Sequence, residues 1–177
     1  MIKKIIIFIP FIWGIIFATS VIGVSGNETE FKLQQKSPSV LNFTLTTGDI
    51  VTFSAMTDEG EFTRLSLPNF HISRNAGEPE LPEVHSLIEI PQGAEPRIEI
   101  ISSNYRDYIL TDIDIVTPIY PSQPSLSKSQ SPGDIPFTIN DDVYLKSTLL
   151  EKELVSVNIK GQLRAIRIAN LNIRPVY

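Results

Sequence analysis

Beyond residue 30, apolar and polar positions alternate in short runs, and helical periodicity is scarce. Val40–Leu45 and Ile50–Phe53 flank Thr47-Gly48-Asp49, a pattern that predicts two strands joined by a hairpin turn. Phe62–Leu67 alternates cleanly and stops at Pro68, and Leu87–Ile90 is closed by Pro91-Gln92-Gly93. Arg97–Ser102, Tyr108–Leu110 and Ile113–Val116 read as further strands. Leu154–Ile159 and Leu163–Ile173 read as the last two, with a turn at Lys160-Gly161. Many short strands at about 8–12 residue spacing predict an all-β fold, an antiparallel β-sandwich or jelly-roll-like domain. One short helical piece is expected, over Asp141–Lys146.

Two segments stand out from this rhythm. In Gly77–Ala94, Gly77 supplies backbone freedom just before Pro79 and Pro82, whose rings fix φ and withhold donors. Glu78 and Leu81 precede prolines and are driven toward extended geometry. This is a rigid entry into a strand, with no chemistry of its own. The second segment, Pro118–Pro136, carries Pro118, Pro121, Pro124, Pro132 and Pro136 among serines and has no periodicity. It is expected to be an exposed loop, either an inert connector or a functional one.

The N-terminus reads as an export signal. Lys3 and Lys4 form a basic start, Ile5–Ile16 is apolar apart from Pro10 and Gly14, and small residues follow at Ala18, Ser20, Gly23, Ser25 and Gly26. The apolar stretch approaches the ~20 residues that span a bilayer. However, the polar run Asn27–Glu30 follows it directly, without a basic stop-transfer cluster. The expected organisation is a signal peptide over residues 1–25, a short polar segment over 26–39 and the β domain over 40–177. The expected destination is the periplasm, the cell surface or the exterior. About 150 residues remain after cleavage, enough for one domain with a real core. Removing Lys3 and Lys4 takes the formal charge from -5 to -7, an acidity that argues against nucleic acid or anionic membrane surface as partners.

Catalytic chemistry has little to work with. The chain has no cysteine, which excludes a thiol nucleophile, disulfides, thiolate metal sites and a lipoprotein-type anchor. A serine triad would need His71 or His85 as base, and neither neighbourhood resembles a nucleophile elbow; His85 sits in a proline-bounded turn. The two histidines lack carboxylates at ligand spacing, so no metal or other cofactor is expected. Glu78, Glu80 and Glu83, like Asp112, Asp114, Asp141 and Asp142, lack the spacing and glycine turn of a calcium loop, and solvated surface is expected for them.

Four features occur together in one order: Gly-x-Pro-x-Leu-Pro at Gly77–Pro82, the Arg97–Ser103 strand, Pro-x-x-Ile-Pro-aromatic at Pro132–Phe137, and Lys160-Gly161-Gln162 before the final strand. In these the sequence resembles the N-terminal pro-region of the gingipain family of secreted cysteine endopeptidases, from about Val40 to Tyr177. The resemblance implies a β-sandwich-like domain that assists folding of a gingipain-like cysteine peptidase domain, in cis or in trans, and keeps it latent during export. It implies latency through a basic loop residue, and the matching position, four residues before Pro132, is Lys128. Lys128 is also the only basic residue between Asp107 and Lys146. A lysine there points to a peptidase that prefers lysine, since the two cations present different geometries. No catalytic domain is present, so the chain alone is not expected to hydrolyse peptides. The alternative is a secreted adhesion or carbohydrate-binding sandwich module. Against it, the single tryptophan, Trp13, lies in the signal, and the tyrosines are scattered.

Overall fold

The computed structural model describes residues 19–24, 28–146 and 153–177. Among them run nine strands: β1 (Thr19–Ile22), β2 (Glu30–Ser37), β3 (Val40–Thr46), β4 (Ile50–Thr57), β5 (Gly60–Ser66), β6 (His71–Ile72), β7 (Pro82–Ile90), β8 (Val155–Leu163) and β9 (Ile166–Ile173). They form a three-stranded sheet β1-β4-β5, a hairpin β2-β3 and a four-stranded sheet β6-β7-β9-β8. Every ladder between these strands is antiparallel. The expected all-β, antiparallel class therefore holds. The expected short helix is present as α1 (Asp141–Tyr144).

Two apolar clusters hold the sheets together. Ile22, Ile50, Leu65 and Leu67 of the three-stranded region pack with Leu81, Ile115 and Ile119. On the four-stranded sheet, Val84, Leu171 and Ile173 are covered by Phe31, Phe43 and Leu45 of the β2-β3 hairpin. Phe70 packs against both clusters and joins them. Alternation explains this directly: one face of each strand is apolar, and a sheet must bury that face against another layer. Leu171, only 2 % exposed, sits at the centre of the second cluster.

The structure departs from the sequence reading in pairing more than in strand location. Thr47-Gly48-Asp49 does not close a hairpin, because β3 pairs with β2 while β4 pairs with β1 and β5. The three residues instead carry the chain between sheets, held by Gly48 N–H donating to Thr29 Oγ1 (2.8 Å) and Val24 N–H donating to Asp49 Oδ1 (3.0 Å). Gly161 is not a turn either. It lies at φ 140° inside β8, where the register with β9 shifts between Ile159 and Gly161. The turn follows at Arg164-Ala165, with Arg164 in the left-handed region at φ 56°. Glycine serves a bulge as readily as a turn, so the sequence signal was ambiguous.

Arg97–Ser102 forms no strand. It follows the Pro91–Ala94 turn as an exposed segment without regular secondary structure, with Ile101 82 % exposed. Arg167 bonds the carbonyl of Ala94 and the Glu95 carboxylate where this segment begins. Strand propensity yields a strand only beside a ladder partner, and none among the described residues stands alongside. Tyr108–Leu110 and Ile113–Val116 are likewise not strands. A 3-10 turn over Leu110–Ile113 interrupts them, ending at Asp114 with φ 62°. At the other end of the chain, β2 occupies the stretch read as a polar segment, and β1 lies at the end of the stretch read as an export signal. Residues 1–18 and 25 of that signal lie outside the described residues.

Candidate functional site

The proline-rich segment divides into a buried stem and an exposed tip. Ile119, Pro121 and Ser122 are buried, which corrects the expectation of a wholly exposed loop. Thr63 of β5 donates its N–H to Pro118 O and accepts from Tyr120 N–H, both at 2.8 Å. On the opposite side, Glu80 N–H donates to Tyr120 O and Ser122 N–H donates to Glu78 O, again at 2.8 Å. Residues 118–122 thus run between β5 and the Gly77–Leu81 segment as a short ribbon, buried at Ile119, Pro121 and Ser122. Proline suits it, since Pro121 has no N–H that burial could leave unpaired.

The returning stem is fastened to the outgoing one. Gln123 donates from Nε2 to Thr138 O and accepts from Thr138 N–H, both at 2.9 Å, which closes the loop at its base. Gly77 donates its N–H to Ser122 O (2.7 Å) and accepts from Asn140 N–H (2.9 Å), so it touches both stems. Gly77 adopts φ 83°, and a Cβ built there would lie 3.1 Å from Asn140 N. Ser73 fixes the same segment from below: its hydroxyl accepts from Leu81 N–H (2.9 Å) and donates to Pro79 O (3.1 Å). The Gly-x-Pro-x-Leu-Pro run is therefore the bracket that holds the loop.

Aromatic packing completes the base. Phe62, Tyr120 and Phe137 form a triangle of rings with centroids 5.4–5.9 Å apart, two of the contacts edge to face. The Arg64 guanidinium lies 3.8 Å over the Tyr120 ring and 3.6 Å, at Nε, from the Glu80 carboxylate. Tyr144 of α1 donates its hydroxyl to Ile119 O at 2.6 Å. Burial, and then the nearby Glu80 carboxylate, push the Tyr144 hydroxyl pKa up, so it remains a donor.

At the tip stands Lys128. The Ser127–Gln130 turn presents it, with Gln130 N–H donating to Ser127 O (3.1 Å) and Ser127 N–H donating to Gln130 Oε1 (3.0 Å). Beyond it, Ser131 N–H donates to Asp134 Oδ2 at 2.6 Å and starts a 3-10 turn over Pro132–Asp134. Lys128 is exposed and makes no ion pair with any described residue. The site therefore offers one free cation on a loop that is locally turned and firmly clamped at its base.

The acidic residues correct the expectation of solvated surface at two positions. Glu80 is 7 % exposed and Glu83 6 %. Glu83 accepts from Arg174 Nε at 3.0 Å and lies 3.1 Å from Nε2 of His85 on the same strand, so a near neighbour and a residue some ninety positions away flank it. Burial, only partly offset by Arg64, raises the Glu80 pKa above its ordinary value. A raised folded-state pKa means that the protonated form is favoured in the fold. Relative to Glu80→Gln, wild-type stability is thus expected to be greatest at low pH and to fall as pH rises through the Glu80 pKa. Chemical denaturation of both proteins from pH 4 to 8 checks this, and parallel curves would refute it.

His85 lies on β7 rather than in a turn, and its ring is 5.6 Å from that of His71 on β6. Both line a cavity of about 350 Å³ together with Phe70 and Ser86. Among the described residues, no hydrogen bond joins the Ser86 hydroxyl to either ring, and no three His, Asp or Glu side chains gather as a metal site. Three of the five tyrosines are engaged within the domain: Tyr108 bonds Gly23 O, Tyr120 lies under Arg64, and Tyr144 bonds Ile119 O.

Residues 28–177 match the model of the C25 propeptide family, Propeptide_C25. Lys-gingipain of Porphyromonas gingivalis is 36% identical over 120 residues, 68% of this chain and 7% of that relative. Lys-gingipain W83 of the same species gives the same figures. The chain thus spans a small part of the length of the curated relatives it matches. A solved structure concerned with the zymogenic latency of gingipain K from P. gingivalis superposes with a TM-score of 0.81 at 29% identity, covering 90% of this chain and 87% of that one. A complex of P. gingivalis RgpB pro- and mature domains shares the fold, with a TM-score of 0.67 at 17% identity over 82% of this chain and 73% of that one. With a family match running through every sheet and both stems of the loop, the chain belongs to the C25 propeptide family and is a pro-region rather than a catalytic domain.

Proposed function

We propose that this chain is the exported latency domain of a gingipain-like cysteine peptidase. It assists folding of that peptidase and blocks it by placing Lys128 in an acidic specificity pocket. The observation that carries this is the pairing of a free lysine at a turned loop tip with stems clamped on both sides. A cation held this way enters a pocket with little ordering cost to the domain beneath it. Lysine at the tip matches a peptidase selective for lysine, and the similarity to Lys-gingipain supports the same choice. Phe137 serves the loop by anchoring its return against Phe62 and Tyr120.

The test is inhibition of a lysine-specific gingipain catalytic domain by residues 19–177, both mixed with the active enzyme and present while the enzyme refolds. Saturable inhibition in either format supports the reading. A well-folded domain that inhibits in neither format overturns it.

A further inference from the structure

We propose that Arg64 is a positioning residue for the inhibitory loop, acting through Tyr120 and Phe137. This rests on the inhibitory reading of Lys128 and adds a residue that carries none of the motifs discussed above. Arg64 sits on β5 directly after Thr63, the residue whose backbone grips Pro118 and Tyr120. Its guanidinium covers the Tyr120 ring at 3.8 Å, and Tyr120 in turn packs edge to face on Phe137 at 5.9 Å. Tyr120 lies on the outgoing stem and Phe137 on the returning one, so a single side chain biases both.

The way Arg64 is satisfied argues against mere packing. Its Nε is buried without a hydrogen-bond partner, and the nearby Glu80 oxygen is 3.6 Å away. The side chain as a whole is 36 % exposed, so its charge is only partly desolvated, but leaving that N–H unpaired is costly and an apolar residue would not incur it. The compensating contact is the aromatic face, which favours a planar guanidinium over it and so fixes the ring in one orientation. A fixed Tyr120 ring fixes Phe137, and Phe137 sets where the chain re-enters the domain after the tip.

A double-mutant cycle on inhibition of the lysine-specific peptidase tests this, with wild type, Arg64→Leu, Lys128→Ala and the double variant compared. Arg64→Leu is expected to weaken inhibition about 10-fold, ~1.4 kcal/mol, and to add no more than about 2-fold in the Lys128→Ala background. An equal factor in both backgrounds would mean that Arg64 acts on the fold in general, and the proposal fails. In case Arg64→Leu does not fold, Arg64→Lys keeps the charge near Glu80 but loses the flat stack; inhibition equal to wild type by that variant also overturns the proposal. Amide exchange separates this inference from the one it rests on. In Arg64→Lys, exchange at Thr138 and Asn140 is expected to quicken while Leu171 is unchanged. If Lys128→Ala leaves inhibition intact, the inhibitory reading fails, and exchange still decides whether Arg64 holds the loop base.

Discussion

Lys128→Ala is expected to weaken inhibition of a lysine-specific peptidase by about 100-fold or more, ~2.7 kcal/mol. The estimate follows from what an ammonium gains in an acidic pocket. A hydrogen bond to a charged group contributes roughly 1.5–3 kcal/mol net, and the pocket carboxylate would lose its partner as well. The side chain is exposed and makes no ion pair among the described residues, so its loss should leave stability within about 0.5 kcal/mol. That separation makes the result readable: affinity collapses while the thermal midpoint stays put. Lys128→Arg should also weaken binding, because the planar fork is longer and donates in fixed directions that a pocket shaped for a point charge does not match. Inhibition constants and melting curves of the three proteins decide the matter. An alanine variant as potent as wild type would remove Lys128 from the interface.

Alternation made the strands legible, since period-two patterning reports which residues can lie on a pleated, half-buried surface. It did not make the partners legible. Val40–Leu45 and Ile50–Phe53 are strands as expected, yet they belong to different sheets, because nothing local distinguishes a hairpin turn from a sheet-to-sheet link. Arg97–Ser102 has the same local signal and remains unpaired among the described residues. Buried charge was equally hidden. Glu80 and Glu83 look like surface in a proline-rich turn, and only the fold brings Arg64 and Arg174 against them. Lys128 stands out as a candidate only through its isolation in a long basic-poor stretch and through the family resemblance. Arg64 had no such signal, because its meaning depends on Tyr120 standing across a gap of more than fifty residues, a distance that periodicity does not cross.

Gly77→Ala is expected to destabilise the domain by about 2–4 kcal/mol and to reduce inhibition with it. Part of the cost is conformational: at φ 83° a side chain adds roughly 1–2 kcal/mol of backbone strain. The remainder is steric and specific to this site. The new methyl would meet Asn140 N at 3.1 Å and Ile139 C at 3.3 Å, both backbone atoms of the returning stem, so the stem must move. Moving it stretches the bond from Asn140 N–H to Gly77 O, and a net hydrogen bond contributes about 0.5–1.5 kcal/mol. Gly93→Ala is the control, because Gly93 has φ 73° but nothing within 4 Å of its built Cβ. It should show the conformational cost alone and leave inhibition unchanged. For a chain of this size each kcal/mol shifts the midpoint by about 2–4 °C, so thermal unfolding resolves the two variants. If the two alanines cost the same, the contact between Gly77 and the returning stem carries no energy, and the bracket at the base of the loop is not what holds Lys128 in place.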